Sequence, residues 1–467
     1  MSLLHHFYTR AVWPFFEPPM RGLSGRLTDL RRQARESRAE IEDRQWQSLR
    51  RLLQHAYDTS PFYRRRFETA GIDPARLAAP ADLGALPPLT RGDLRDHLPE
   101  ITSRRYRPEE LLRAATGGTT ELPMAIVRDA AAVAAKNGVQ QALWEWAGVR
   151  PGAKVFWLWG AVADYAANPS WRWRIYERHI MRKIWAPTGR MNAEVMERYR
   201  QQFNRFRPDA VCAFPTPLFL FCEFLRNTGR PIVPPRAVIC TAEALLPHQR
   251  TLVEQVLRAP VFEQYGCREF GMVAAECPAH QGMHVATSAA YIEYRAISAS
   301  ADAPYEMLVT DLLNYGMPLI RYQINDCVAA PPAAAGRCAC GRNLPRLPAI
   351  IGRTSDTLRL PDGSLMPGVA LIAALAEGEA LGSAAPRLDK AQIVQEDLGQ
   401  FRLRYVPGAG FTSAQLEPLR RKLDAILGTE IHWEFEAVAE IAREASGKTR
   451  FCVSKVGAAK AGPRQGS

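Results

Sequence analysis

Five short runs and one scattered set of residues in this chain have the types and spacing to do chemistry. The run Thr116-Gly117-Gly118-Thr119-Thr120 offers hydroxyls, small side chains and backbone N–H groups. Glycines at positive φ let such amides converge into a nest for an anion, most often a phosphate. The G-x-x-x-x-G-K-S/T spacing of a Walker loop is absent, so this reads as a nucleotide loop of another kind. Behind it come Tyr265-Gly266-Cys267-Arg268-Glu269-Phe270-Gly271, then Arg321-Tyr322-Gln323-Ile324-Asn325-Asp326, then Gly352-Arg353-Thr354-Ser355-Asp356, and finally Ser446-Gly447-Lys448. Each is common by itself, and a Gly/Thr run is an ordinary turn more often than a phosphate grip. The order of the set is what makes it specific. Cys277, His284, Cys338 and Cys340 form a Cys₃His set that suits tetrahedral zinc, with His280 as a competitor for the imidazole position. The alternative for these cysteines is a group of small buried hydrophobes with inert thiols.

These residues need elements to hold them. Residues 25–70 read as helix, and Thr90–Leu98 as a capped helix. Short apolar strands at 122–127, 155–159, 210–214, 237–240 and 261–265 alternate with helices at 129–147, 192–206, 218–226 and 247–258. That alternation predicts an α/β fold with a mostly parallel sheet covered on both faces. Ligands of such sheets bind beyond the carboxyl ends of the strands, which is where Thr241-Ala242-Glu243 and the Tyr265–Glu269 run lie. Past residue 285 the texture changes: 291–294, 306–310 and 319–322 read as antiparallel strands of a small β-subdomain. Residues 357–365 read as a hairpin turning at Asp362-Gly363. From 369 onward the pattern is a small α+β unit, with helices at 369–377 and 413–427 and strands at 391–396, 400–406 and 430–436.

Composition narrows the function classes. A chain of 467 residues exceeds one ordinary core. Its net charge of +12 favours anionic partners. The basic residues are scattered and lack the aromatic-interleaved stripe of a single-strand binder, so nucleic acid is not expected as a partner. No run of 18 apolar residues exists to span a membrane, and the N-terminus lacks the h-region of a signal peptide. The aromatic N-terminal segment either packs on the body of the protein or makes a peripheral membrane contact as an interfacial helix. Nine cysteines, an odd number spread along the chain, do not form a secreted disulfide pattern, and the cytoplasm is the expected compartment.

The ordered set resembles the adenylate-forming superfamily of acyl-CoA ligases. It is most similar to the phenylacetate-CoA ligase branch and its CapK and coenzyme F390 synthetase-like subgroup. The resemblance extends over nearly the whole chain, including LLQHAYDTSPFYRRRFETAGI, LPPLTRGDLRDHL, MPLIRYQIND and GRCACGRNLPRLPAIIGRTSD. It implies a large N-terminal adenylation domain at 1–352, a hinge at 353–356 and a small mobile α+β C-terminal lid at 357–467. It also implies ATP-dependent adenylation of a small-molecule carboxylic acid, followed by transfer of the acyl group to a thiol. That thiol would be coenzyme A or a carrier protein. In this reading Thr116–Thr120 hold the β- and γ-phosphates, Glu269 holds Mg²⁺, and Asp326 accepts from the ribose hydroxyls. Tyr265 and Gly266 lie at the adenine, with Ala242 and Glu243 along its edge. Arg353 belongs to the nucleotide-binding set, with a surface salt bridge as its alternative, and Lys448 brings a positive charge to the α-phosphate. Related chains carry similar cysteines, which favours zinc at Cys277, His284, Cys338 and Cys340. A homodimer is the default assembly.

The chain also departs from that pattern. The phosphate loop continues as Glu121-Leu122-Pro123 where many relatives have Gly-Lys-Pro, so one cation is missing and a carboxylate stands nearby. Residues 160–187 are aromatic and strongly basic, in place of the Gly/Tyr/His-rich acyl-pocket segment of phenylacetate ligases. Two other readings therefore stay open: transfer of AMP to a hydroxyl, and a degenerate, non-catalytic polysaccharide biosynthesis factor of the CapK kind.

Overall fold

The computed structural model describes residues 7–115, 125–159, 171–188, 191–297, 305–332, 337–348, 350–353, 357–361, 365–367, 388–408, 411–427, 430–441 and 452–456. The chain forms two compact units. The first holds Met1–Glu293, Leu308–Ile324 and Pro331–Ala349; the second holds Tyr294–Met307, Asn325–Ala330 and Ile350–Ser467.

The first unit opens with helices. The stretch expected as one helical region over 25–70 is three helices, Leu23–Gln33, Arg38–Thr59 and Pro61–Thr69. The interruptions are chemical. Ser37 accepts from the Glu40 amide while the Glu40 carboxylate returns to the Ser37 amide at 2.7 Å, a capping box that starts the second helix afresh. Ser60 caps the third, and Pro61 at its first position cannot continue the second. The expected helix after Thr90 is Arg91–Ile101, again opened by a capping box with Asp93 and kinked at His97, two residues before Pro99.

Strands β1 (Leu111–Ala115) and β2 (Ala125–Asp129) pair antiparallel. An eight-stranded sheet follows. It is built from β3 (Val155–Trp159), β4 (Lys183–Pro187), β5 (Ala210–Ala213), β6 (Ala237–Cys240), β7 (Val261–Cys267), β8 (Gly271–Glu276), β9 (Met283–Val285) and β13 (Arg346–Leu347). The order is β13-β9-β8-β7-β6-β5-β3-β4. From β4 through β7 every pairing is parallel; from β7 through β13 every pairing is antiparallel.

Alternation along the parallel strands covers both faces. Phe156, Leu158, Val211, Ala213, Val238 and Cys240 pack into one core with Tyr199, Phe203, Phe221 and Leu252 of the flanking helices. Their neighbours Val155, Ala210, Cys212, Ala237 and Ile239 pack on the other side with Trp144 and Phe262. The expected α/β sheet is therefore present. β4 was not anticipated, because its residues sit in the aromatic basic stretch.

The next sheet has the order β10 (Ala290–Ala296), β11 (Tyr305–Asp311), β12 (Tyr322–Val328), β14 (Ile350–Arg353). The strand expected at 319–322 begins only at Tyr322. Upstream, Tyr63 Oη donates to the Pro318 carbonyl at 2.9 Å and accepts from the Ile320 amide at 3.1 Å, and Arg321 has φ +53°. The apolar run is buried, but its backbone groups go to the Tyr63 and Thr310 hydroxyls and to single amides at Asp311 and Leu89 rather than to a continuous ladder.

In the second unit β15 (Thr357–Arg359) pairs with β16 (Leu365–Pro367) as the expected hairpin. A four-stranded sheet has the order β19-β18-β17-β20, with β17 Leu388–Asp397, β18 Gln400–Pro407, β19 His432–Ala437 and β20 Cys452–Ser454. The helix Leu416–Leu427 packs on it through Leu419 and Leu423 against Phe401, Leu403 and Trp433. The expected turn at Asp362-Gly363 and helix at 369–377 lie outside the described residues.

Candidate functional site

The carboxyl edge of the parallel strands carries three unusual features. Beyond β6, Ala242 holds φ +72°, a left-handed backbone that costs an L-residue on the order of 1–3 kcal/mol. Glu243 follows: its Oε2 accepts from the Thr216 amide at 3.1 Å, while its buried Oε1 has no hydrogen-bond partner. Such an atom calls for a donor from a ligand or water. The parallel pairing of β6 with β7 ends at Cys240↔Glu263, so Ala242 and Glu243 leave the sheet at the edge toward which Tyr265 and Gly266 continue β7. At Gly266 a Cβ would meet the Gly271 carbonyl oxygen at 2.4 Å, so only glycine allows β8 to approach there, next to the bulge between Tyr265 and Gly266.

The turn from β7 to β8 carries Arg268 and Glu269, and two cations, the half-buried Arg128 and the buried Lys136, pin it by its carbonyls. Arg128, on β2, donates to the Arg268 carbonyl. Lys136, on the helix Ala130–Trp146, donates to the Glu269 carbonyl at 2.9 Å and to Asp311 Oδ2 at 2.6 Å. The Lys136–Asp311 pair is almost fully buried, with side chains 8% and 1% exposed. Asp311 Oδ1 accepts from the Leu313 amide at 3.0 Å, so both its oxygens are used. Burial pushes the Arg128 pKa down, partly offset by Asp311, and its Nε is buried without a partner. The Glu269 backbone is thereby fixed while its side chain stays partly exposed. Sequence reading did not find Arg128 or Lys136. The available signal was Lys136 itself, a cation in an Ala-rich helix with one other charged residue, Glu145.

The antiparallel side of the sheet carries a second cluster. Cys277 follows β8, His284 lies in β9, and Cys338 and Cys340 come from the turn before β13. Their ligand atoms all lie within 4.8 Å of one another. Cys277 Sγ is 3.7 Å from Cys338 Sγ, and Cys340 Sγ is 3.3 Å from His284 Nε2. His284 Nδ1 lies 3.3 Å from the Leu344 carbonyl, and donating its N–H to that oxygen fixes the tautomer that leaves Nε2 free to ligate. Burial lowers the His284 pKa to about 4, keeping the ring neutral. Burial pushes the Cys277 thiol up to about 12, whereas at Cys340 burial is outweighed by hydrogen bonds from Arg342 and the neighbouring thiols, and its pKa falls below the usual value. His280 is turned away: its Nδ1 lies 3.3 Å from Glu276 Oε2. Three thiols and a neutral imidazole at this spacing are a donor set for a borderline-soft tetrahedral ion, and a hard oxygen-seeking cation does not suit them.

The remaining candidates divide between the units and the undescribed residues. Asp326 is buried in β12 and stands in register opposite Arg353 of β14, both in the second unit. Thr116, Gly117, Gly118, Thr119 and Thr120, the departing Glu121-Leu122-Pro123, Asp356 and Lys448 lie outside the described residues.

A parallel sheet with a liganding carboxyl edge and a separate small sheet unit make up the fold of the adenylate-forming enzymes. The chain superposes on 2-hydroxyisobutyryl-CoA ligase in its postadenylation state with a TM-score of 0.71 at 20% identity, covering 91% of this chain and 92% of that one. Its homologues are CapK and the phenylacetate-CoA ligases, and residues 378–455 match the CapK C-terminal domain. CapK of Staphylococcus aureus is 22% identical over 412 residues, 85% of each chain. Phenylacetate-coenzyme A ligase of Thermus thermophilus is 26% identical over 348 residues, 71% of this chain and 74% of that one, and the Escherichia coli enzyme is equally similar.

Proposed function

We propose that this chain is an ATP-dependent acid–thiol ligase that adenylates a carboxylic acid and passes the acyl group to coenzyme A. A carboxylate oxygen attacks the α-phosphorus of ATP and pyrophosphate leaves; the thiolate then attacks the acyl carbon and AMP leaves. The observation that carries this reading is the carboxyl edge itself, where the strained Ala242, the unpaired Glu243 Oε1 and the pinned Glu269 turn stand together. Kinship with the phenylacetate-CoA ligases supports coenzyme A as the acceptor.

In this reading Glu243 receives a donor from the nucleotide edge and Tyr265 lies against the base. Glu269 would hold Mg²⁺, which neutralises charge on the transferring phosphates. Thr116–Thr120 would supply amides and hydroxyls to the outgoing pyrophosphate, Asp326 would accept from the ribose, and Lys448 would supply a point charge to the reacting oxygens. Residues 353–356 would serve as the hinge, so that one site serves both half-reactions in turn. The Cys277, His284, Cys338 and Cys340 centre would hold zinc with four protein ligands, which leaves no open position and makes its role structural.

Acid-dependent exchange of pyrophosphate into ATP, screened over carboxylic acids, tests the first half-reaction, and mass spectrometry of the product identifies the acceptor. We expect exchange with at least one acid, a thioester plus free AMP on adding coenzyme A, and loss of exchange in Lys448→Ala. ATP binding without exchange for any acid would remove the reading; a stable AMP ester would replace the thiol by a hydroxyl.

A further inference from the structure

The N-terminal segment and the segment 171–183 form one cationic aromatic surface. The two meet through named contacts. Tyr8 Oη donates to the His179 carbonyl at 3.1 Å, the Arg182 guanidinium lies over the Tyr8 ring at 5.4 Å, and the Phe16 and Tyr176 rings are 6.2 Å apart. Tyr176 Oη also donates to Glu17. Each segment is divided by side. Tyr8 and Trp13 turn inward onto Leu23, Leu27 and Ala142. Phe7, Phe15 and Phe16 turn outward, and so do Trp171, Trp173 and Ile175. These are six of the eight large hydrophobic residues exposed among the described residues, with Phe15 77% and Trp171 67% exposed. A scatter of single exposed hydrophobics is ordinary; this concentration marks an interaction surface.

Charge identifies the partner. Residues 7–21 and 171–183 carry seven Arg or Lys and two Glu. Both carboxylates are engaged inside the patch: Glu17 by Tyr176, and Glu177 by the Trp185 indole at 2.9 Å and Lys183 at 3.5 Å. Arg10 and Arg172 are exposed among the outward aromatics, and the Arg172 guanidinium lies over the Trp171 ring at 5.4 Å. A second copy docked on the same patch would set cations against cations, which disfavours a two-fold contact. Trp and Phe side chains interleaved with Arg match the interface of an anionic bilayer, where rings enter the headgroup layer and guanidiniums pair with phosphates. Among the described residues no helix is long and apolar enough to cross a membrane, so the contact is with its surface. We infer that this patch docks the protein on the surface of an anionic lipid membrane, independently of what its catalytic site does.

Co-sedimentation of the full chain with phosphatidylcholine vesicles, and with phosphatidylcholine–phosphatidylglycerol vesicles, tests this. Binding to the anionic vesicles should be about tenfold or more tighter and should collapse in high salt. The triple variant Phe15→Ser, Trp171→Ser, Trp173→Ser should lose most of that binding with an unchanged melting temperature. The pair Arg10→Glu and Arg172→Glu should lose it with the aromatics intact. Three results would overturn the inference: no sedimentation of the wild type with anionic vesicles, equal binding to both vesicle types, or a dimer in solution that the triple variant dissolves while vesicle binding persists.

Discussion

The eight-stranded sheet has two unlike halves that meet at β7. On one side of β7 the strands run parallel, and their carboxyl edge leaves polar groups with unfinished business: a carboxylate oxygen without a donor at Glu243 and a strained Ala242. On the other side the strands run antiparallel and close on Cys277, His284, Cys338 and Cys340, which face one another and are mostly buried. Parallel strands need long crossovers, so their ends are far apart in sequence and open to a ligand. β8 and β9 are joined by a short turn that brings Cys277 and His284 together, and the chain entering β13 closes the cluster with Cys338, 61 positions beyond Cys277, and Cys340. In the proposed reading, substrate binding and stability are separated within one sheet, and each half can be broken without the other.

The sharpest break is in the closed half. Cys338→Ser removes one of the four proposed zinc ligands. We expect bound zinc to fall from one per chain to below a tenth by elemental analysis, with a stability loss on the order of 5 kcal/mol in chelator-free unfolding, because metal-binding energy is folding energy here. A wild type purified without added zinc that holds none, and melts unchanged in chelator, would reduce the cluster to packed thiols.

The clamp on the Glu269 turn comes next. Lys136→Met leaves Asp311 charged and buried without its partner, at a cost of about 3–5 kcal/mol by denaturant titration. Lys136→Arg should recover part of that stability. At matched folding, the Met variant should need more Mg²⁺ for half-maximal exchange, since the Glu269 carbonyl has lost its donor. An unchanged Mg²⁺ requirement would make Lys136 a purely structural cation. Glu269→Gln probes the open half more directly: exchange should fall roughly 10²–10³-fold with the melting temperature held.

The two halves also differ in how far sequence reveals them. The open half was legible as elements, because apolar strands alternating with helices predict the parallel sheet and its carboxyl edge. The carboxylates Glu243 and Glu269 were legible as types at strand ends. What pins the Glu269 turn was not: the lone lysine of an Ala-rich helix stands out as a type, but its partner Asp311 lies 175 positions away and nothing in the sequence joins the two. The closed half was legible as four residue types, and the fold supplies their convergence across 61 positions between Cys277 and Cys338. Periodicity misplaced β12, since apolar residues 317–320 are buried whether or not they form a ladder, and it missed β4 and β20, whose three to five residues lie within basic sequence.

Glu263 sits on β7 where the halves join, and it offers the gentlest test of their separation. Burial raises its pKa to about 7, reinforced by Glu276 on the antiparallel side and opposed by the Leu245 amide on the parallel side and by Arg250. A carboxyl whose folded pKa lies above its unfolded value binds its proton more tightly when folded. Its contribution is therefore fully present below about pH 4.5 and is lost as pH rises through 7. Glu263→Gln keeps an acceptor for Leu245 and carries no charge. Relative to wild type, its unfolding free energy should be about 2–3 kcal/mol higher above pH 7, with the gap closing toward pH 4.5. The zinc content and the Mg²⁺ requirement of the variant should not move, because neither half depends on this proton. A variant that gains no stability above pH 7 would mean that solvent or Arg250 already satisfies the charged carboxylate, and that the seam between the halves is wetter than its burial indicates.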